Sequence, residues 1–286
     1  MDSLPTPLVS TDWLARHLDE PDLVVVDASW YLPAANRSGR AEYEQGHIPG
    51  AVFWDLDELS DRSSPLPHML PPLPDLARAI GILGIGNRDR VVVYDGSGTT
   101  MSAARVWWTL RLLGHESVAV LNGGLKRWCA EARPVRSGHA AWAPKGFQAG
   151  YRPELLRNLE QTRRAAESGS VSMIDARSSG RFAGTEPEPR PGLRGGHVPG
   201  ARSLPFGELS APDGTMLAVP ELTLRIAASG ADLTRPVIVS CGSGVTACVL
   251  ALGLEVAGFH DYAVYDGSWS EWGRQDGPPV ESGPPR

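Results

Sequence analysis

Four motifs occur twice in this chain, in the same order and about half its length apart, so it must fold as two copies of one domain. Gly46-His47-Ile48-Pro49-Gly50-Ala51 returns as Gly196-His197-Val198-Pro199-Gly200-Ala201, and Val24-Val25-Val26-Asp27-Ala28 as Val171-Ser172-Met173-Ile174-Asp175-Ala176. Val91-Val92-Val93-Tyr94-Asp95-Gly96-Ser97-Gly98 matches Val237-Ile238-Val239-Ser240-Cys241-Gly242-Ser243-Gly244. Leu121-Asn122-Gly123-Gly124 with Trp128 matches Tyr265-Asp266-Gly267-Ser268 with Trp272. Within each copy, short β-branched runs alternate with segments of helical period, which predicts an α/β domain: a parallel sheet with helices on both faces. In the first copy we expect a helix capped by Ser10 or Thr11 running to about Leu18, strand Leu23–Val26, helix Leu76–Leu83, strand Val91–Tyr94 and helix Ser102–Leu113. Pro134 to Tyr151 is rich in Gly, Pro, Ala and Ser without periodicity. The expected division is a first domain over 1–135, a linker over 136–152 and a second domain over 153–286.

Composition narrows the class. A chain of 286 residues suffices for two domains that each bury a core. A formal net charge of −6 with scattered Lys and Arg argues against nucleic acid as a partner. Three cysteines, an odd number, point to a reducing compartment rather than a disulfide framework. Met1-Asp2-Ser3-Leu4-Pro5-Thr6-Pro7 has neither a basic nor an apolar leader pattern, and no run is long enough to span a bilayer, so the expected location is the cytoplasm, with no membrane partner. No metal-ligand spacing occurs, and no cofactor is expected.

The chemistry is concentrated in Cys241-Gly242-Ser243-Gly244-Val245-Thr246-Ala247, which follows the run Val237-Ile238-Val239. A strand that delivers a cysteine into a Gly-rich loop and then a helix surrounds the sulfur with backbone N–H groups, and these together with the helix dipole favour a thiolate. Because Asp95 stands opposite Cys241 in the repeat, only the second copy can supply the nucleophile. Such a loop suits phosphoryl transfer or sulfur transfer. Cysteine phosphatases close the loop on a phosphate dianion with an arginine six positions after the cysteine, where this chain has Ala247. What remains is a cradle of amides without a fixed cation, suited to a persulfide or a monoanionic donor.

A second constellation lies in Gly180-Arg181-Phe182-Ala183-Gly184-Thr185-Glu186-Pro187-Glu188-Pro189-Arg190-Pro191-Gly192, an ordered but irregular loop with an arginine near each end. Arg181 and Arg190 could clamp a small α-keto carboxylate, one gripping the carboxylate and the other the carbonyl oxygen. They could equally pair with Glu186 and Glu188 in a structural network; the residues alone leave both open. Arg194 is a further nearby candidate.

With these motifs in order over nearly its whole length, the chain resembles the rhodanese superfamily, and the Cys-Gly-Ser-Gly-Val-Thr-Ala loop is similar to that of the 3-mercaptopyruvate sulfurtransferase type. The resemblance implies two tandem rhodanese-like domains and sulfur transfer through a Cys241 persulfide, with the amides of Gly242, Gly244, Val245 and Thr246 around the sulfur and Arg181 and Arg190 on the substrate. Thiosulfate sulfurtransferases carry basic residues where this loop has Gly242 and Ser243. The family also implies that Trp54-Asp55-Leu56-Asp57 and the Pro-rich segment around His68 reach the active loop, with Asp57, His68 and Ser243 as a proton relay. Asp55 competes with Asp57, since alternate residues share a face on an extended segment. The implied reaction takes sulfur from 3-mercaptopyruvate, releases pyruvate and passes sulfur to thioredoxin, a small thiol or cyanide. The rivals are a thiosulfate:cyanide sulfurtransferase and a non-catalytic persulfide carrier.

Other residues have blander explanations. His47 and His197 occur in both copies and are expected to fix the turn before the next strand, and Cys248 to pack. Cys129 ends a helix without a partner motif, while Trp107, Trp108, Trp128, Trp269 and Trp272 pack helices on sheets or line a cleft between the halves. Leu59 replaces a cysteine that some family members use in redox regulation, and Met101 a tyrosine that some carry before the paired tryptophans.

Overall fold

The structure, a computed structural model, describes residues 4, 7–32 and 35–284; most of the 1–7 stretch, examined above for a leader, lies outside them. The chain divides into two compact units. The first comprises Met1–Arg62, Leu70–Arg152 and Ser210–Met216; the second comprises Ser63–Met69, Pro153–Leu209 and Leu217–Arg286.

In the first unit the elements run β1 (Leu8–Val9), α1 (Thr11–His17), β2 (Leu23–Asp27), α2 (Gly39–Gln45), β3 (Val52–Phe53), α3 (Leu73–Ile82), β4 (Arg90–Tyr94), α4 (Met101–Leu112), β5 (Val118–Leu121) and α5 (Gly124–Ala130). Its sheet has the order β1-β5-β4-β2-β3, all pairs parallel. The second unit contains β6 (Leu156–Arg157), α6 (Leu159–Ser168), β7 (Ser172–Asp175), α7 (Ser179–Ala183), β8 (Arg202–Ser203), α8 (Val219–Ala228), β9 (Val237–Ser240), α9 (Ala247–Val256), β10 (Tyr262–Tyr265) and α10 (Ser268–Trp272). Its sheet, β6-β10-β9-β7-β8, is again wholly parallel. Replacing each strand of the first order by its repeat partner gives the second order, as duplication requires.

The central strands explain the core. Val24, Val26, Val91 and Val93 are buried as fully as Val25 and Val92, so both faces of β2 and β4 are dry, and each such side chain contributes about 1.5–3 kcal/mol of burial. Residues from α1, α2 and α5, among them Leu14, Tyr43 and Trp128, join the cluster on one face, and α4 packs on β4 and β5. In the second unit Phe182, Trp269 and Trp272 from α7 and α10 cluster with Met173 and Ile238, while α9 packs on β9 and β10.

The conserved turns are held alike in both copies. His47 Nδ1 lies 2.8 Å from the Tyr43 carbonyl and His197 Nδ1 2.9 Å from that of Phe182, each ring stacked on the aromatic residue it bonds. Trp128 donates to the Pro134 carbonyl and Trp272 to that of Pro279. The segment 136–152 has no helix or paired strand, yet its backbone is tied to the first unit: Gly138 N to Glu44 O, Lys145 N to Gly81 O and Gly150 N to Leu113 O.

Candidate active site

The loop after β9 lies at the carboxyl end of a central strand, where open α/β sheets place ligands. Its conformation rests on Gly244, with φ +75°, the twin of Gly98 at +77°, a region that disfavours a Cβ. Ser268 fastens the loop from below. Its Oγ accepts from the amides of Cys241 and Gly244, both at 3.1 Å, and donates to the Tyr265 carbonyl at 2.7 Å. Ser270 donates to the Gly242 carbonyl through both its amide and its hydroxyl. Behind the loop, Cys248 Sγ donates to the Gly244 carbonyl at 3.2 Å, so this buried thiol is a packing and tethering group.

Cys241 is 2 % exposed and stands just before α9. Among the described residues, the amides of Gly242, Ser243, Val245 and Thr246 donate to no protein acceptor, whereas the Gly244 amide is committed to Ser268. Gly244 therefore shapes the loop through its φ and its bond to Ser268.

The first unit shows the same loop in a filled state. Asp95, 1 % exposed, occupies the cysteine's position and accepts from Ser97 N at 2.9 Å and Ala103 N at 2.9 Å, with Ser97 Oγ and Ser102 Oγ as further donors. Gly96 N donates to Ser29 Oγ and Thr99 N to Ser97 Oγ. The amides of Gly242, Ser243 and Val245, open around Cys241, thus have occupied twins in Gly96, Ser97 and Thr99 around Asp95.

Above the second unit's loop lie the two arginines. A Cβ built on Gly242 would meet Arg181 NH2 at 3.1 Å and Arg190 NH1 at 3.8 Å, so both guanidinium groups sit over the loop backbone. Arg181 is ion-paired with Glu188, NH2 to Oε2 at 2.6 Å, while Glu186 accepts from the Ser178 hydroxyl. The pairing left open by the sequence therefore falls on Glu188 alone, and it coexists with a position over the loop. Arg190 NH2 reaches Ser243 Oγ at 3.4 Å. Burial pulls the Arg190 guanidinium below its usual range, with Arg181 acting in the same direction and the charges of Cys241 and Glu188 opposing. Arg194 instead donates to the Trp272 and Pro278 carbonyls.

His68, 6 % exposed and in the left-handed region at φ +60°, belongs to the second unit, and its Nδ1 lies 2.9 Å from Ser243 Oγ. Asp57 belongs to the first unit, where its Oδ2 accepts from Trp30 Nε1 at 3.0 Å. Asp55 caps its own turn, accepting from the amides of Asp57 and Glu58 at 3.2 Å, and pairs with Arg40. Pro65, Leu66 and Pro67 border an open cavity of about 350 Å³ with Arg190, Ser270 and Arg274.

Sequence reasoning missed Arg177, Glu188 as a partner of two arginines, and Ser268. Arg177 is 1 % exposed, and its only local signal is its place directly after the Asp175-Ala176 that ends the repeated strand motif.

Two duplicated parallel sheets, one carrying a buried cysteine in a glycine-rich loop beneath two arginines, define a tandem-domain α/β protein. The rhodanese-like domain model matches residues 10–131 and again 158–275, and the chain belongs to that family. It is 45 % identical over 301 residues to thiosulfate/3-mercaptopyruvate sulfurtransferase 1, mitochondrial, of Arabidopsis thaliana, covering 98 % of this chain and 79 % of the relative. It is 43 % identical over 270 residues to human 3-mercaptopyruvate sulfurtransferase, covering 93 % and 91 %. The crystal structure of SseA from Escherichia coli, described as a 3-mercaptopyruvate sulfotransferase, superimposes with a TM-score of 0.85 at 39 % identity, over 93 % of this chain and all of that one. Among the described residues no helix is long and apolar enough to cross a membrane.

Proposed function

We propose that this sulfurtransferase takes its sulfur from 3-mercaptopyruvate through a persulfide on Cys241. Overall identity does not choose the donor, since the name of one relative covers both thiosulfate and 3-mercaptopyruvate. The loop supports the choice: its second and third positions are Gly242 and Ser243, neither a cation, while the two arginines above them suit a carboxylate and its neighbouring carbonyl.

The Cys241 thiolate attacks the donor sulfur, the S–S bond forms as the carbon–sulfur bond breaks, and the enolate of pyruvate leaves and is protonated to pyruvate. Open amides of Gly242, Ser243, Val245 and Thr246 stabilise negative charge on the sulfurs. Ser243 and His68, 2.9 Å apart, move the proton. An acceptor thiolate then attacks the outer sulfur, which restores the Cys241 thiolate. Thioredoxin and small thiols fit that step, and cyanide replaces them in the assay. The three free cysteines support a reducing compartment, and we place the enzyme in the cytoplasm.

The test is a donor panel with pyruvate and sulfide as readouts, joined to intact-mass analysis. Wild type treated with 3-mercaptopyruvate should gain one sulfur and Cys241→Ser none. Sulfur found on Cys129 or Cys248, or thiosulfate turned over as well as 3-mercaptopyruvate, would overturn the assignment. Persulfide loading without pyruvate release would leave a carrier rather than an enzyme.

A further inference from the structure

Arg181 is the end of a buried chain of alternating charges. Asp175, at the end of β7, accepts from the Arg177 amide, Nε and NH2; Arg177 NH1 donates to Glu188 Oε1 at 2.8 Å; and Glu188 Oε2 accepts from Arg181 NH2 at 2.6 Å. Arg177 also donates to the Gly196 carbonyl and lies 4.1 Å above the Trp269 ring. The Arg177 and Glu188 side chains are 0 % and 3 % exposed, so water does little to screen the chain. Two carboxylates and two guanidinium groups cancel. Arg190, which reaches Ser243 and forms no ion pair with a carboxylate among the described residues, adds one cation over the loop beyond that balanced chain, where it faces the Cys241 sulfur.

We infer that Glu188 sets donor specificity by charge count: it positions Arg181 and cancels one of two cations, so that the clamp presents a single net positive charge and selects monoanions over dianions. The inference rests on the sulfur-transfer reading for its substrate but not for its test. A clamp of charge +1 holds 3-mercaptopyruvate, a monoanion through its carboxylate, without surplus. Adding one positive charge strengthens the hold on a dianion by twice the increment it gives a monoanion, and for a charge about 12 Å from the anion at an effective dielectric of about 20 the extra increment corresponds to about tenfold in relative affinity.

Glu188→Gln keeps the shape of the side chain and removes its charge. Asp175→Asn adds the same charge at the far end of the chain without touching Arg181, so that a folding defect in one variant does not decide the matter. In both, at pH 8, above the ordinary range of imidazole, protection of Cys241 from iodoacetamide should be measured with pyruvate as the monoanion and sulfate as the dianion, together with thermal unfolding. The half-protecting concentration of sulfate should fall about tenfold relative to that of pyruvate in folded Glu188→Gln and by a smaller factor in folded Asp175→Asn, while Glu188→Asp keeps the wild-type ratio. In turnover, kcat/KM for thiosulfate should rise relative to 3-mercaptopyruvate, chiefly through KM. An unchanged sulfate-to-pyruvate ratio in either folded variant overturns the proposal. Failure of wild type to turn over either donor would count against the sulfur-transfer reading alone, because protection by inert anions needs no turnover.

Discussion

Arg181 and Arg190 lie over the same glycine but are held differently, and their removal should have different consequences. Arg190 donates to Ser243, so Arg190→Ala should cost kcat/KM for 3-mercaptopyruvate about 1.5–3 kcal/mol, the range for a hydrogen bond to a charged group, with little change in Tm. Arg181→Ala should cost a similar amount and also lower Tm, because it takes one of two partners from the buried Glu188. Equal stability of the two variants would contradict this division. Asp27, the twin of Asp175, pairs with no arginine among the described residues; burial, reinforced by Asp95, raises its pKa from 3.8 to about 6, against hydrogen bonds that lower it. A carboxyl raised on folding binds its proton more tightly in the native state, so stability should fall by about 3 kcal/mol as pH rises from about 4 to 6. Denaturation curves of Asp27→Asn across that window should lack this fall; an unchanged slope would remove Asp27 as its source. At this scale the meeting of Cys241, Arg181 and Arg190 at one loop was legible, because each sits in a motif. Arg177 and Glu188 as a charge pair were not, since ten residues separate them, among them α7 where an irregular loop was expected, and only the fold brings them together.

Among the elements, the sequence foretold types better than ends. Helix α3 begins at Leu73, three residues before the expected Leu76, because Pro74 in the first turn lacks only an N–H that a helix start leaves unpaired. Helix α1 and strand β2 fall within a residue of expectation, Ser10 being the cap. Ser268 was invisible for a different reason: its repeat twin is Gly124, and both adopt positive φ, +48° and +55°, so the motif resembles a simple turn. A serine held there bears strain that glycine would not, and its hydroxyl bridges two loop amides to a carbonyl. Ser268→Ala should destabilise the second unit by about 1–3 kcal/mol, the cost of buried amides left unpaired, and should slow alkylation-competent closure of the Cys241 loop. Ser268→Gly should recover part of the stability by relieving φ while leaving the loop equally loose. If both variants matched wild type in Tm and in the rate of Cys241 alkylation, the hydroxyl would have no role in shaping the loop.

At the scale of the molecule, the repeat was the most legible feature, since four motifs in order imply the single strand order that both sheets adopt. Of the segments assigned out of sequence, the one carrying His68 was expected at the second copy's loop only through the family resemblance, and Ser210–Met216 was not foreseen. Nothing in the composition of Ser63–Met69 says that it belongs to the second unit, nor in Ser210–Met216 that it belongs to the first. A 153–286 fragment therefore lacks the segment carrying His68, and it should form the Cys241 persulfide far more slowly than the whole chain; equal rates would show that Ser63–Met69 is dispensable. This division also bears on descent. A duplicated gene ordinarily keeps the option of shedding one copy, but here each copy has come to own a short stretch of the other's coding sequence. Any cut at the boundary between the repeats now takes a segment from each unit, so the copy without a cysteine cannot be shed without also removing Ser63–Met69 from the copy that has one.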